Sequence, residues 1–312
     1  MPANDSLVSI GLPVYNGAQS LERAVESVLA QDYGNIELMI SDNASGDATE
    51  QICRHYAQCD QRVRYHRQPE NIGQIGNFVH VLDLARGAYF KWLGDDDWLM
   101  PTYVSRCVQV LAEDERLILV TTQQGHVDHN GQTETASYTD QRLRSDRPVE
   151  RFVEMLRLLN ESYLLIDPLY SMMRRSQVAA MPRFSMLYED EVYAARLALA
   201  GPFGHLPEVL SYRSFKPFGR LSQSALRYEV PPWHARAATV LQSRELLRCL
   251  AEADLDPGER REAQTAVAGM YFRRHAKTAV RRSRKLLALA MGGSTARGTA
   301  FSHSGRIRNR GG

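Results

Sequence analysis

The 312 residues, 44% hydrophobic and 24% charged, have the composition of an ordinary globular protein and exclude a disordered or fibrous chain. No apolar run nears the ~18–20 residues of a membrane-spanning helix; Leu286 to Met291 is the longest candidate. The net charge of +2 conceals a division: residues 272–312 carry eleven Lys or Arg and no Asp or Glu, leaving 27 basic against 36 acidic side chains in the first 271.

Met1 to Ser6 lacks the basic and apolar regions of a secretory signal. Cys53, Cys59, Cys107 and Cys249 form no C-x-x-C pair and no dense disulfide framework. Both features point to a reduced, cytoplasmic setting.

Over the first 120 residues short apolar runs alternate with amphipathic segments, the rhythm of βαβ units and a mostly parallel sheet. Strands are expected at 7–12, 36–41, 63–67, 89–93 and 117–121, with helices at 18–31, 47–58, 74–85 and 101–113. Asp47 and Pro101 are helix-start residues, and Gly87 stands where a helix should stop. From Gln123 to Arg147 the pattern fades into a polar excursion. A helix at 148–160, strands at 169–173 and 209–212 and a helix at 189–200 complete the region before Pro231-Pro232. Helices at 233–253 and 257–289 and a Gly/Ser/Arg-rich end follow, with no internal repeat. The expected divisions are therefore 1–122, 123–230, 231–290 and a basic tail, 291–312, expected to be disordered.

Gly94-Asp95-Asp96-Asp97 follows an apolar strand directly, at the carboxyl edge where open α/β sheets bind ligands. Carboxylates so crowded suit a hard divalent cation, which can bridge phosphates and neutralise a departing diphosphate. A simpler reading is an acidic loop favouring the N-terminus of the next helix. Two further loops open on the same edge: Pro13-Val14-Tyr15-Asn16-Gly17, and Asp42-Asn43-Ala44-Ser45-Gly46-Asp47. Tyr15 can stack on a base and Asp42 can accept from a base N–H or a ribose hydroxyl, though both loops also have ordinary turn composition. No G-x-G-x-x-G follows the first strand, which argues against a dinucleotide site.

These blocks, with Asn71-Ile72-Gly73 and Ala85-Arg86-Gly87-Ala88-Tyr89, resemble in order and spacing the family 2 inverting glycosyltransferases, over about residues 7–220. The resemblance implies a Rossmann-like, mostly parallel α/β sheet of the GT-A type, here with a helical C-terminal extension. It further implies Mn²⁺ or Mg²⁺ as cofactor, a nucleotide-diphospho-sugar donor and a saccharide or lipid-linked acceptor. By position Pro13, Tyr15, Asn16 and Asp42 would hold the nucleoside, with Asn71 and Gly73 shaping that pocket. The acidic cluster matches the D-x-D motif, with Asp96 ahead of Asp97 as metal ligand and Asp95 beside the donor. The family's Glu-Asp pair maps onto Glu189 at the substrate and Asp190 as catalytic base. Gly94 stands at the first acidic position of the longer motif, and Phe215 where many members have a His.

Of the remaining candidates, His126 and His129 are a spaced pair in a polar, surface-loop setting, and Arg174, Arg175 and Arg213 are possible anion contacts or plain salt-bridge partners. Trp92, Trp98 and Trp233 read as sugar platforms or packing. The C-terminal stretch interleaves Val267, Met270, Tyr271, Leu286, Leu287 and Leu289 with basic residues, fitting an anionic membrane surface rather than specific nucleic acid. The expectation is a cytoplasmic transferase in bacterial surface polysaccharide or glycolipid synthesis, peripheral on the inner face of the cell membrane. A sugar-phosphate nucleotidylyltransferase is the alternative, disfavoured because the Pro-Val-Tyr-Asn opening is not a Gly-rich basic triphosphate loop; a catalytically silent nucleotide-sugar-binding subunit is another.

Overall fold

A computed structural model describes residues 5–162, 164–214 and 221–290, without the side chains of Arg227 and 277–290. Phe215 and the 291–312 tail lie outside the described residues. Residues up to Tyr271 form one compact unit and those from Phe272 another.

The first unit is built on a nine-stranded mixed sheet. Its first half is β1 (Val8–Val14), α1 (Leu21–Leu29), β2 (Ile36–Asp42), α2 (Thr49–Cys59), β3 (Val63–Arg67), α3 (Gly73–Asp83) and β4 (Tyr89–Trp92). β1 and β2 are buried along their whole length, as expected for strands covered on both faces. α1 buries Leu21, Ala24, Val25 and Val28, one stripe at helical spacing. Pro13 is tolerated inside β1 for a specific reason. Gly11 O accepts from Leu93 N on the β4 side, and Pro13, two residues on, presents its missing N–H to that same side just where β4 has ended.

The chain continues through β5 (Trp98–Leu99), α4 (Tyr103–Glu113), β6 (Leu119–Val127), β7 (Thr133–Glu134), α5 (Pro148–Glu161), β8 (Met172–Arg174), α6 (Arg175–Ala179), α7 (Glu189–Ala200), β9 (Phe203–Ser214), α8 (Leu221–Arg227), α9 (His234–Glu252) and α10 (Pro257–Ala290). The order across the sheet is β3-β2-β1-β4-β8-β6-β9-β5, with β7 on β6. β1 to β4 run parallel, β8 inserts antiparallel, and β6 and β9 are parallel to each other. The order reverses between β1 and β4, so their carboxyl ends open a crevice.

Several elements depart from the sequence reading. β6 extends to Val127 through polar residues expected to be loop, because Gln124 and His126 are buried and Gly125 lies against the Tyr212 ring, where a Cβ would come within 2.6 Å. β9 is far longer than 209–212: its ladder shifts register between Leu206 and Val209, so Pro207, which has no N–H to donate, sits in the irregularity. The expected strand at 169–173 is a 3₁₀ turn over Pro168–Tyr170 followed by β8. The sequence reading passes over β5, α6 and α8. α7 matches its expected bounds and is buried nearly all round, packing Tyr193 and Leu197 toward the sheet and Val192 and Ala195 toward α5, α9 and the start of α10.

Candidate active site

The loops after β1, β2 and β4 interlock at the crevice. Asn16, at φ 55°, donates from its backbone N to Ser45 Oγ at 2.9 Å, and its Oδ1 accepts from Gly46 N at 2.8 Å. The adjoining Tyr15 leaves its side chain in the open, 53% exposed, on the crevice rim. Asp42, closing β2, is fully buried. Its Oδ1 accepts from Ser45 N at 2.9 Å, and its Oδ2 from Tyr65 at 2.8 Å and Arg67 at 2.6 Å. Burial alone would raise its pKa, but the hydrogen bonds from Ser45, Tyr65 and Arg67 outweigh it and hold the carboxyl below the usual range. Asn43 ties in Asn71 and Gly73: Oδ1 accepts from Ile72 N at 2.9 Å, while Nδ2 donates to Asn71 Oδ1 at 2.8 Å and to Gly73 O at 3.2 Å. Gly73 has φ 77°, open to glycine at little cost.

The three consecutive carboxylates take three different positions. Asp95 accepts from Ser20 Oγ at 3.3 Å and lies against Gly17, joining the first and fourth strand loops. Asp97 is buried, with Oδ1 accepting from Ser214 N at 3.2 Å and Oδ2 from Arg213 Nε at 3.3 Å. Asp96 is half-buried between them, and its carbonyl is clamped by Ser214 Oγ at 2.7 Å and Arg23 Nη2 at 3.1 Å. Arg23 also lies 3.6 Å above the Trp98 ring, which in turn stacks on Tyr212 at 5.2 Å and 3°. α1, the acidic loop and the end of β9 are thereby locked together.

At the start of α7 the Glu-Asp pair divides. Glu189 is buried in a two-pronged ion pair with Arg183, whose guanidinium lies over Trp92 and Tyr193. The structure thus puts this expected substrate contact in a packing role. Asp190 is solvent-exposed and follows Tyr188 at φ 62°, ψ 27°, a backbone turn unusual for a bulky residue. Protein crowding desolvates its carboxyl, and Glu191, Asp167 and Glu189 repel its charge, so its pKa is pushed up to about 7. Asp167 also pairs with Arg213, which in turn pairs with Asp97 of the acidic loop, so the charge that Asp190 feels from Asp167 belongs to the same ion-pair chain as that loop.

The other candidates are largely absorbed by structure. His126 is a buried strand residue rather than part of a surface loop, and burial, followed by Arg213, lowers its pKa to about 4. Among the described residues no group of three or more His, Cys, Asp or Glu is arranged to hold a metal alone. Arg174 donates to the carbonyls of Leu117 and Leu111, and Arg175 to that of Gly87. Trp92 is in the core, whereas Trp233 is 56% exposed. The sequence reading missed Arg23, Arg67, Asp167 and Arg183 as organisers; only Asn43, inside the quoted β2 block, carried a signal.

The model of glycosyl transferase family 2 matches residues 9–179, more than half of the chain. The chain belongs to glycosyl transferase family 2. An uncharacterized glycosyltransferase of Rickettsia typhi is 35% identical over 105 residues, 34% of this chain and 32% of its own length. EpsH of Bacillus subtilis is 28% identical over 152 residues, 48% of this chain and 42% of its own. The matches therefore span less than half the length of these relatives. S. aureus TarS in complex with UDP superposes with a TM-score of 0.63 at 15% identity, over 85% of this chain and 72% of that one. The mannosyltransferase PcManGT of Pyrobaculum calidifontis, in complex with GDP-Man and Mn²⁺, gives 0.52 at 16% identity over 91% and 81%. At these identities the likeness is one of fold, and it makes this family 2 glycosyltransferase a mixed α/β protein of the GT-A type with a helical C-terminal region.

Proposed function

We propose that this glycosyltransferase moves a sugar from a nucleotide-diphospho-sugar to a hydroxyl acceptor with inversion at the anomeric carbon. The observation that carries the reading is Asp190, at an exposed position at the start of α7, whose carboxyl is desolvated by the surrounding protein and repelled by Glu191, by Asp167, the partner of Arg213, and by Glu189, so that its pKa is pushed up to about 7. A carboxylate so tuned suits a general base. The acceptor oxygen bonds to the anomeric carbon as its proton passes to Asp190. The bond from that carbon to the phosphate oxygen breaks, and the nucleoside diphosphate leaves with the electron pair.

On the donor side, Tyr15 and Asn16 form the rim and Asp42, Asn43, Asn71 and Gly73 the wall of the nucleoside pocket. Bound UDP in TarS and GDP-Man in PcManGT support this chemical class. A Mn²⁺ or Mg²⁺ ion fits oxygen donors from one carboxylate completed by diphosphate oxygens. Asp96 would hold it, since both oxygens of Asp97 are engaged by Arg213 and Ser214; the ion would neutralise the departing diphosphate. In this reading residues 1–122 serve the donor and 123–230 the acceptor and base, with 231–290 and the 291–312 tail outside the chemistry.

The biological setting we infer is bacterial surface polysaccharide or glycolipid synthesis at the inner face of the membrane. Two observations support it: the eleven basic residues after Tyr271, and the lack, among the described residues, of a helix long and apolar enough to cross a membrane. Incubation with nucleotide-sugars and Mn²⁺ tests the function directly. Release of nucleoside diphosphate and a product of inverted anomeric configuration by NMR support it, whereas pyrophosphate release or no turnover refutes it. Co-sedimentation with anionic vesicles, compared with a chain ending at Tyr271, tests the setting; equal pelleting would rule out docking through the tail.

A further inference from the structure

The helical turn that carries Asp190 is held in place from outside itself. α7 opens on Tyr188 at φ 62°, ψ 27°, and that residue makes no side-chain hydrogen bond to cap the helix. Such an end lacks the usual restraint on its first turn. In its place Arg183 grips Glu189, the residue directly before Asp190. Nε donates to Oε1 at 2.8 Å, and Nη2 donates to Oε2. Two parallel bonds fix a carboxylate in direction as well as in distance.

Arg183 is itself held by aromatic rings. Its guanidinium lies 5.2 Å from the Phe78 ring, 5.2 Å from Trp92 and 4.9 Å from Tyr193. Trp92 closes β4, the strand that leads into the acidic loop, and Tyr193 is on α7, one turn after Glu189. One side chain therefore touches both the strand before Asp95 and the helix that begins beside Asp190. Both members of the pair are buried, their side chains 3% and 5% exposed. For packing alone, apolar side chains of similar volume would serve as well or better, because two charges must be desolvated here. Arg183 Nη1 is buried with no hydrogen-bond partner, which adds to that cost. What the pair adds is a fixed direction for the first turn of α7.

We propose that Arg183 is a positioning residue: acting through Glu189, it sets the place of Asp190 relative to the acidic loop. This rests on the reading of Asp190 as the base. The charges facing Asp190 are Glu189 and Glu191 on α7 and Asp167 before β8. Arg183 pairs with Glu189, Arg213 of β9 pairs with Asp167, and Gln242 of α9 donates to Glu191. Glu189 is one of the three repelling carboxylates, so the pair also helps to set where Asp190 titrates.

The test compares the full chain with Arg183→Lys, with Glu189→Gln, and with Arg183→Met and Glu189→Met combined. Circular dichroism checks folding, and rates are nucleoside diphosphate release from UDP-N-acetylglucosamine or GDP-mannose with Mn²⁺, water being the acceptor. The Asp190 carboxyl is titrated by ¹³C NMR, its signal assigned with Asp190→Asn. The double variant removes both charges together and should fold. Its kcat per folded protein should fall ~10²-fold, the effect of a displaced reacting group, with the donor KM within about two-fold of the parent. Arg183→Lys keeps the charge without the two-pronged grip, so its kcat should fall about ten-fold; it decides the matter should the double variant not fold. Glu189→Gln removes one repelling charge, so the Asp190 titration should move down by about half a pH unit or more. Parent kcat in the folded variants, a donor KM that rises as much as kcat falls, or an Asp190 titration unmoved by Glu189→Gln overturns the inference. Parent transfer in Asp190→Asn refutes the base reading itself. Fully active Arg183 and Glu189 variants beside an inactive Asp190→Asn refute this inference alone.

Discussion

Arg213 donates from Nε to Asp97 Oδ2 at 3.3 Å and pairs through Nη1 with Asp167, so one guanidinium joins the loop after β4 to the segment before β8. Burial works against its charge, but Asp97 and Asp167 outweigh that and hold its pKa above the usual value. Removing it strands a carboxylate that is only 4% exposed. Arg213→Met should cost about 3 kcal/mol of stability by urea denaturation, the scale for breaking a buried pair. Arg213→Met with Asp97→Asn should recover part of that, since position 97 then carries no buried charge. A loss under about 0.5 kcal/mol, that of an exposed pair, would show the bridge to be incidental.

The neighbouring carboxylates should separate by phenotype. Asp96 is half-buried with its carbonyl clamped, whereas Asp97 is engaged through its side chain. Asp96→Ala is expected to unfold near the parent temperature yet lose Mn²⁺-supported transfer by ~10²-fold or more, as for other charge-stabilising groups at a reacting centre. Asp97→Ala should instead lower the melting temperature by several degrees. Thermal melts and Mn²⁺ titrations of nucleoside diphosphate release would read both. Equal melting with intact transfer in Asp96→Ala would transfer the metal role elsewhere.

Much of this arrangement was legible because the informative residues are local. The loops after β1, β2 and β4 each follow an apolar run directly, and α7 begins at Glu189 as its pattern indicates. The partners were illegible because they arrive from distant sequence. Arg23 reaches Asp96 across 73 positions and Ser214 reaches it across 118, distances at which periodicity carries no information. Polar strands also mislead: Gln124 and His126 read as loop, and only the packing of β6 against β9 shows why they are buried.

Asn43 joins the β2 loop to the turn before α3 by three hydrogen bonds, to Ile72, Asn71 and Gly73. Asn43→Ala removes all three and leaves the Ile72 N–H without its acceptor. The expected cost is about 1–3 kcal/mol in chemical denaturation. If this turn shapes the nucleoside pocket, nucleoside diphosphate affinity should fall about ten-fold by calorimetry. Loss of stability with unchanged affinity would confine Asn43 to folding.

Asp190 offers a prediction with a definite sign in both rate and stability. As a base it must be ionised, so transfer should rise with pH and level off above its pKa of about 7. Asp190→Asn should abolish the reaction while leaving nucleotide affinity nearly unchanged. In the unfolded chain the same carboxyl ionises near its ordinary ~3.9. Between these values the folded state holds a proton that the unfolded state has released, so this group lowers stability progressively as pH rises from about 4 to 7 and by a constant amount above. Melting curves of the parent and Asp190→Asn should accordingly converge near the lower limit and separate toward pH 7, with the asparagine variant the more stable and the gap constant beyond it. A parent that gains stability relative to the variant over that range would show that Asp190 is held ionised by a cation, and the acid limb of the rate profile would then need another owner.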